Sequence, residues 1–414
     1  MSPFETASLL IVLAAIFSFI NFKFIRLPST IGVMFLALAT SAGLLALGTV
    51  ARPVRIQAQV IVAGIDFHNA VFNGMLAFLL FAGSLQLDIN DLRREWKPIA
   101  VLAILGTAAS TGLVGVISFY LFALIGAPLP WIWCFVFGAL ISPTDPIAVL
   151  GIMKKVGAPK SLETIMAGES LFNDGVGVAI FLGFVGVLGG GAVPSLSQAS
   201  WLIVREAAGG AGIGLAAGIA TYALLRSVDN YQVEVLLTLA LAMGCYSLAN
   251  AVEMSGPIAV VVAGIFTGNR GRTFGMSETT RQHLDSFWEL LDEILNAVLF
   301  LLIGLELLVM PFNARWIIAG LLAIGVVLLC RWASVAGSIG LLSIGHRRGK
   351  GRVAVLTWGG LRGGLSVAMA LSLPEGEHRN QLLVITYAVV IFCVCVQGMT
   401  AASVIKWAAR TPTI

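Results

Sequence analysis

The feature that most constrains this chain is a succession of apolar segments that follow one another almost from end to end. A helix of about 20 apolar residues matches the hydrocarbon thickness of a bilayer. These segments are too long and too poor in charge for tilted barrel strands. Helices are then the one remaining structure that satisfies its own backbone in lipid. Composition agrees, with 58% of the 414 residues hydrophobic and 11% charged, whereas a soluble domain carries about a quarter charged. The fold class expected is an all-α polytopic membrane protein. The longest polar stretch, around 269–283, is too short for a soluble regulatory domain.

The opening Met1-Ser2-Pro3-Phe4-Glu5 lacks a basic n-region and a small-residue cleavage site. It reads as the start of a retained helix rather than a signal peptide. Cys134, Cys245, Cys330, Cys393 and Cys395 all fall in apolar segments and read as small buried hydrophobes. The net charge of +4 comes from lysines and arginines in the connections, so it implies no nucleic-acid partner. No cofactor motif is present.

Thirteen helices are expected, at about 4–22, 28–49, 68–88, 97–125, 131–154, 161–188, 200–225, 232–252, 257–268, 284–309, 315–344, 352–373 and 380–407. Cytoplasmic connections carry an excess of Lys and Arg, and the basic residues test the count. The odd-numbered connections and the tail hold eighteen, among them Arg93, Arg94, Lys154, Lys155, Arg272, Arg347, Arg348 and Arg410. The even-numbered connections hold only Arg52, Arg55, Arg315 and Arg379. A miscount by one helix would scramble this alternation. The N-terminus is therefore expected outside and the C-terminus in the cytoplasm, in a cell (inner) membrane.

A charge at the bilayer centre costs at least about 2.5–3.5 kcal/mol, so such residues mark pathways or paired scaffolds. Three constellations concentrate them. In Ser142-Pro143-Thr144-Asp145-Pro146, two prolines three apart each remove a backbone donor. The fifth span should unwind there, freeing carbonyls for a cation and leaving Asp145 at a positive half-helix end. In Gly168-Glu169-Ser170-Leu171-Phe172-Asn173-Asp174, residues four apart share a face. The result is a polar stripe, along which Asp174 can alternate between a proton and a cation. In Gly359-Gly360-Leu361-Arg362-Gly363-Gly364, four glycines around one arginine argue for a second break, with Arg362 compensating negative helix ends. Arg331, alone in an apolar helix, needs a partner, and Glu169 is the candidate; their role is scaffold.

The broken spans are each fifth in a run of six, and the two runs would have opposite membrane orientation. That is the signature of two inverted six-helix repeats, about 1–190 and 230–410, with a site where the broken helices meet.

With Thr144-Asp145-Pro146, Gly168 to Asp174 and Gly359 to Gly363 in this order, the chain resembles the cation:proton antiporter family. The resemblance is to its NhaP-type sodium/proton exchanger branch and covers essentially all thirteen expected spans. Segment 284–309, with Asn296-Ala297-Val298-Leu299-Phe300, resembles the family as well. The resemblance implies the NhaA-like antiporter fold in a single domain over 1–414, with core helices at about 97–188 and 315–407. It implies a homodimer in which that core moves against a dimerisation domain in an elevator-like motion. Asp174 would be the central cation and proton carrier. Asp145, the Thr144 carbonyl and Ser170 would complete the shell of a bound Na+. Asp88 would ligate the ion or gate its path. Glu169 and Arg331 would form a buried pair, and Arg362 would be the core arginine. An Asn173-Asp174 pair is associated with electroneutral exchange.

Alternatives remain at this point. Potassium (K+) could replace sodium (Na+) or lithium (Li+) on the same site, since its geometry sets the choice. An organic-anion symporter shares the broken-helix layout, and a cation channel is a third reading. Catalysis is not expected, because neither an HExxH nor a GxSxG pattern occurs.

Overall fold

The computed structural model describes residues 3–47, 52–190, 196–271, 276–311, 313–342 and 350–409. Over these the chain is built from helices. Arg272, Arg347, Arg348 and Arg410, which enter the charge count, lie outside the described residues. Among those described, nine helices are long and apolar enough to cross a membrane by length and composition. They run Phe4–Ile25, Ser29–Ala46, Phe67–Leu85, Trp96–Leu124, Lys160–Leu188, Val204–Leu225, Tyr231–Ala251, Ala314–Leu342 and Glu377–Ala408.

Four expected segments fall short of that standard, each for a visible reason. The two with proline and glycine clusters are interrupted, into Trp131–Ile141 with Ile147–Val156 and Lys350–Gly359 with Gly364–Leu371. Gly256–Phe266 spans 11 residues. Glu278–Glu306 is long enough but carries Glu289, Asp292 and Glu293 in its midsection. One helix was not anticipated: Arg52–Ala63 lies within a connection, where Gln59 Nε2 donates to the Leu308 carbonyl at 2.7 Å.

Helix boundaries follow local chemistry. Asn230 accepts from the Gln232 and Val233 amides, and Ser277 accepts from Thr280, each filling donors that a helix start leaves open. Gly157, at φ 73°, closes Ile147–Val156 in the left-handed conformation that glycine tolerates. Pro159 then precedes Lys160–Leu188.

Two packing arrangements position the site. Glu278–Glu306 lies along Ser29–Ala46, where Ser41 Oγ donates to the Gly304 carbonyl at 2.9 Å. Trp131–Ile141 lies along Thr107–Leu124, with Gly138 against the Thr111 backbone. There Thr111 Oγ1 donates to Ser142 Oγ at 3.2 Å, and Ser142 Oγ donates to the Gly138 carbonyl at 2.7 Å.

Candidate functional site

The two interruptions cross each other. The Asp145 amide donates to the Leu361 carbonyl at 2.9 Å, the only strand-like bridge among the described residues. At this crossing a Cβ on Gly363 would collide with the Asp145 side chain, so glycine here leaves the carboxylate its place.

Each half-helix end meets a group of opposite sign. Trp131–Ile141 ends in open carbonyls, and Arg362 Nη1 donates to those of Ser142 and Pro143 at 2.5 and 2.9 Å. Ile147–Val156 begins with open amides, and Ile147 N–H donates to Asp145 Oδ1 at 3.0 Å. Arg362 is 1% exposed, so the carbonyl dipoles are what balance its charge locally.

The polar stripe of Lys160–Leu188 faces this crossing. Asn173 is fully buried and uses both ends of its amide on Thr144. Its Nδ2 donates to Thr144 Oγ1 at 2.8 Å, and its Oδ1 accepts from the Thr144 amide at 3.3 Å. Ser170 Oγ lies 2.8 Å from Thr144 Oγ1. Thr144, Ser170 and Asn173 thus form one closed unit that fixes the stripe against the proline break. Asp174 is the next residue and stands outside that unit. It has no hydrogen bond or ion pair among the described residues, and it borders a cavity of about 140 Å³. Thr144, Asp145, Ser170, Asn296 and Ser366 line the same cavity. Carboxylates, hydroxyls and an amide are hard oxygen donors, suited to a small cation.

Glu169 and Arg331 meet as expected from their isolation in the sequence. The guanidinium grips both carboxylate oxygens, Nη1 to Oε1 and Nη2 to Oε2, the latter at 3.0 Å. Nη2 also donates to the Leu356 carbonyl at 2.9 Å, which ties the pair to the helix before the glycine break.

Asp88 is not brought into this cluster. It is exposed, caps Ile89–Arg94 by accepting from the Asn90 amide at 2.7 Å, and does not line the cavity. The reason is positional, since Leu85 ends its helix and the chain turns before Asp88. Conversely, sequence reasoning did not place Asn296 or Ser366 at the site. The available signal was a lone amide before an apolar run and a hydroxyl just beyond the glycines.

Comparison with known proteins agrees with this architecture. The family described as sodium/hydrogen exchanger, transmembrane, matches residues 9–407. The Na(+)/H(+) antiporter NhaP of Pseudomonas aeruginosa is 45% identical over 403 residues, covering 96% of this chain and 95% of that protein. The Na(+)/H(+) antiporter NhaH of Halobacillus aidingensis is 38% identical over 354 residues, covering 82% and 83%. Among solved structures, the sodium proton antiporter MjNhaP1 of Methanocaldococcus jannaschii superposes with a TM-score of 0.76, covering 99% of both chains at 18% identity. That likeness speaks to fold. On the family match and these identities, the chain belongs to the sodium/hydrogen exchanger family.

Proposed function

We propose that this protein exchanges sodium or lithium for protons across a cell membrane, one cation against one proton, with both competing for Asp174. One observation carries the reading: Asp174 is a carboxylate at membrane depth that no fixed partner neutralises among the described residues, and it borders a cavity whose mostly apolar wall also carries hard oxygen donors. Such a group must hold a proton or a cation. Its neighbour Asn173 is neutral and committed to Thr144. Loading either ligand therefore leaves the carrier with the same charge, provided Asp145 keeps one protonation state. Competition also sets the pH response. Acidification displaces the cation, and the half-saturating concentration rises by up to about tenfold per pH unit once the proton dominates.

Asp145, the Thr144 carbonyl and Ser170 complete the cation shell in this reading, while Arg362 and the Glu169–Arg331 pair hold the two broken helices. The frame is thirteen spans in two inverted repeats, with a cytoplasmic C-terminus. A core of about 97–188 and 315–407 moves against the remaining helices in a homodimer. The names of the curated relatives favour sodium over potassium as the cation.

The test is a pH-gradient dequenching assay in proteoliposomes. Sodium, lithium, potassium and choline are added in turn, with and without a potassium/valinomycin clamp. Dequenching by sodium or lithium that ignores the clamp is the expected result. Dequenching by potassium alone would reassign the cation. No response from folded protein would remove cation exchange altogether.

A further inference from the structure

One wall of the cavity is left unused by the reading above. Asn296 is 1% exposed and lines the cavity beside Asp145 and Asp174. Its Nδ2 donates to the Asp292 carbonyl at 2.9 Å. A carbonyl can only accept, so that contact fixes which end of the amide is Nδ2 and leaves Oδ1 as the end still free to accept. Oδ1 is buried and has no hydrogen-bond partner among the described residues. A buried amide oxygen left unmade costs about 1–3 kcal/mol, and a bound cation, or water held by one, would recover it.

Asn296 also reaches the cavity from a different group of helices than the acids do. Asp145 and Asp174 sit on the proline-broken helix and on Lys160–Leu188, which pack on each other and on the Trp96–Leu124 segment. Asn296 is carried by Glu278–Glu306, whose main neighbours are Ser29–Ala46, Phe67–Leu85 and Pro3–Ile20. In this arrangement the cavity extends to Leu87 and Leu150, next to the basic connections around Arg93 and Lys154.

We propose that the Asn296 side-chain carbonyl is a further cation ligand, offered from outside the broken-helix unit and only while the cavity faces the basic side. This rests on the exchange reading and deepens it. If one helix group moves against the other, the cation leaves Asn296 behind when the site turns to the opposite side. The two faces then bind the same cation with unequal affinity, tighter on the basic face.

The test compares wild type with Asn296→Leu, which fills the same space without the oxygen, and Asn296→Asp, which restores an oxygen. Exchange is measured in oriented proteoliposomes with sodium supplied from one face at a time. Asn296→Leu is expected to raise the half-saturating sodium concentration at the basic face about tenfold. The maximal rate and the opposite face should change by less than about twofold, and Asn296→Asp should return the value to wild type or below. A structural role would lower melting temperature and rate in both variants and leave half-saturation unchanged, and that pattern overturns the proposal. An equal rise at both faces removes the one-sided ligand. Sodium-dependent thermal stabilisation in detergent is read alongside, and Asn296→Leu should lose most of it. If wild type is stabilised by sodium yet exchanges nothing, exchange fails while Asn296 as a ligand is still judged by that shift. If the shift survives in Asn296→Leu, the ligand fails by itself.

Discussion

Glu169 and Asp174 sit five residues apart on one helix, yet the structure treats them in opposite ways. Glu169 is fully buried and gripped through both oxygens by Arg331. Asp174 borders the cavity and meets no donor among the described residues. A buried ion stripped of one partner is costly, because the other charge stays desolvated. A carboxylate closed by a fixed guanidinium therefore holds helices together and has little freedom to change ligand. A carboxylate left open at the same depth must take a mobile partner. Polarity alone does not separate scaffold from carrier; the presence of a built-in counter-charge does.

The sharpest way to break this contrast is Asp174→Asn. The variant keeps the shape and removes the exchangeable charge, so cation-driven proton movement should fall to background. The melting temperature should hold or rise, because an amide is cheaper to bury. Exchange that survived in Asp174→Asn would end its role as carrier. Glu169→Ala should act the other way round. Stranding Arg331 costs about 3–5 kcal/mol, read as lower yield and a lower melting temperature, while half-saturating sodium in the folded fraction stays within about twofold. A change in affinity without a loss of stability would move Glu169 into the site. The comparison sharpens with a Glu169→Leu, Arg331→Leu double variant. Replacing both charges by apolar groups is often neutral or stabilising, so the double variant should recover much of the stability that Glu169→Ala loses.

The Glu169–Arg331 pair is legible in the sequence, because an isolated arginine in an apolar helix has few possible answers. Both interruptions were readable for a similar reason, since two prolines or four glycines leave a helix no regular alternative. What the sequence did not disclose depends on aim rather than composition. Arg362 could be assigned to negative helix ends, but that it serves the Ser142 and Pro143 carbonyls follows from the crossing. Asp88 reads as an acid at the end of a span, and the turn of chain after Leu85 sets it outside the cavity, where it caps Ile89–Arg94. Asn296 was hidden because one amide at the start of an apolar run reads as a contact between helices until its unpaired oxygen is located. Helix Arg52–Ala63 went unseen because Arg52, Arg55, Gln57 and Gln59 interrupt its apolar residues and its length falls short of a span.

The crossing itself gives a smaller test. Gly363→Ala places a methyl against the Asp145 carboxylate, and the neighbouring backbone is held by the Asp145–Leu361 bridge. Asp145 must give way, which also disturbs its hydrogen bond from the Ile147 amide. Exchange should slow several-fold with a measurable rise in half-saturating sodium, while the Glu169–Arg331 pair keeps the protein folded. An unchanged rate would mean that Asp145 contributes little to the bound cation.

The smallest expected effect concerns the residue beside Asp174. Asn173→Asp retains the oxygen that accepts from the Thr144 amide and loses the donor to Thr144 Oγ1. The Thr144 hydroxyl can rotate and donate instead, so the unit with Ser170 should survive. What changes is charge. A second carboxylate beside Asp174 lets the carrier hold a proton and a cation in combinations of unequal charge. Moving one unit charge through the membrane potential is worth about 2.3 kcal/mol per 100 mV. Exchange by Asn173→Asp should therefore become sensitive to a potassium/valinomycin potential that the wild type, on the proposed one-for-one exchange, is expected to ignore, even if the rate at zero potential hardly moves. An Asn173→Asp protein that still ignored the potential would mean the added acid keeps its proton throughout the cycle. Neutrality at residue 173 would then not set the charge balance of the cycle, which would have to lie with Asp145.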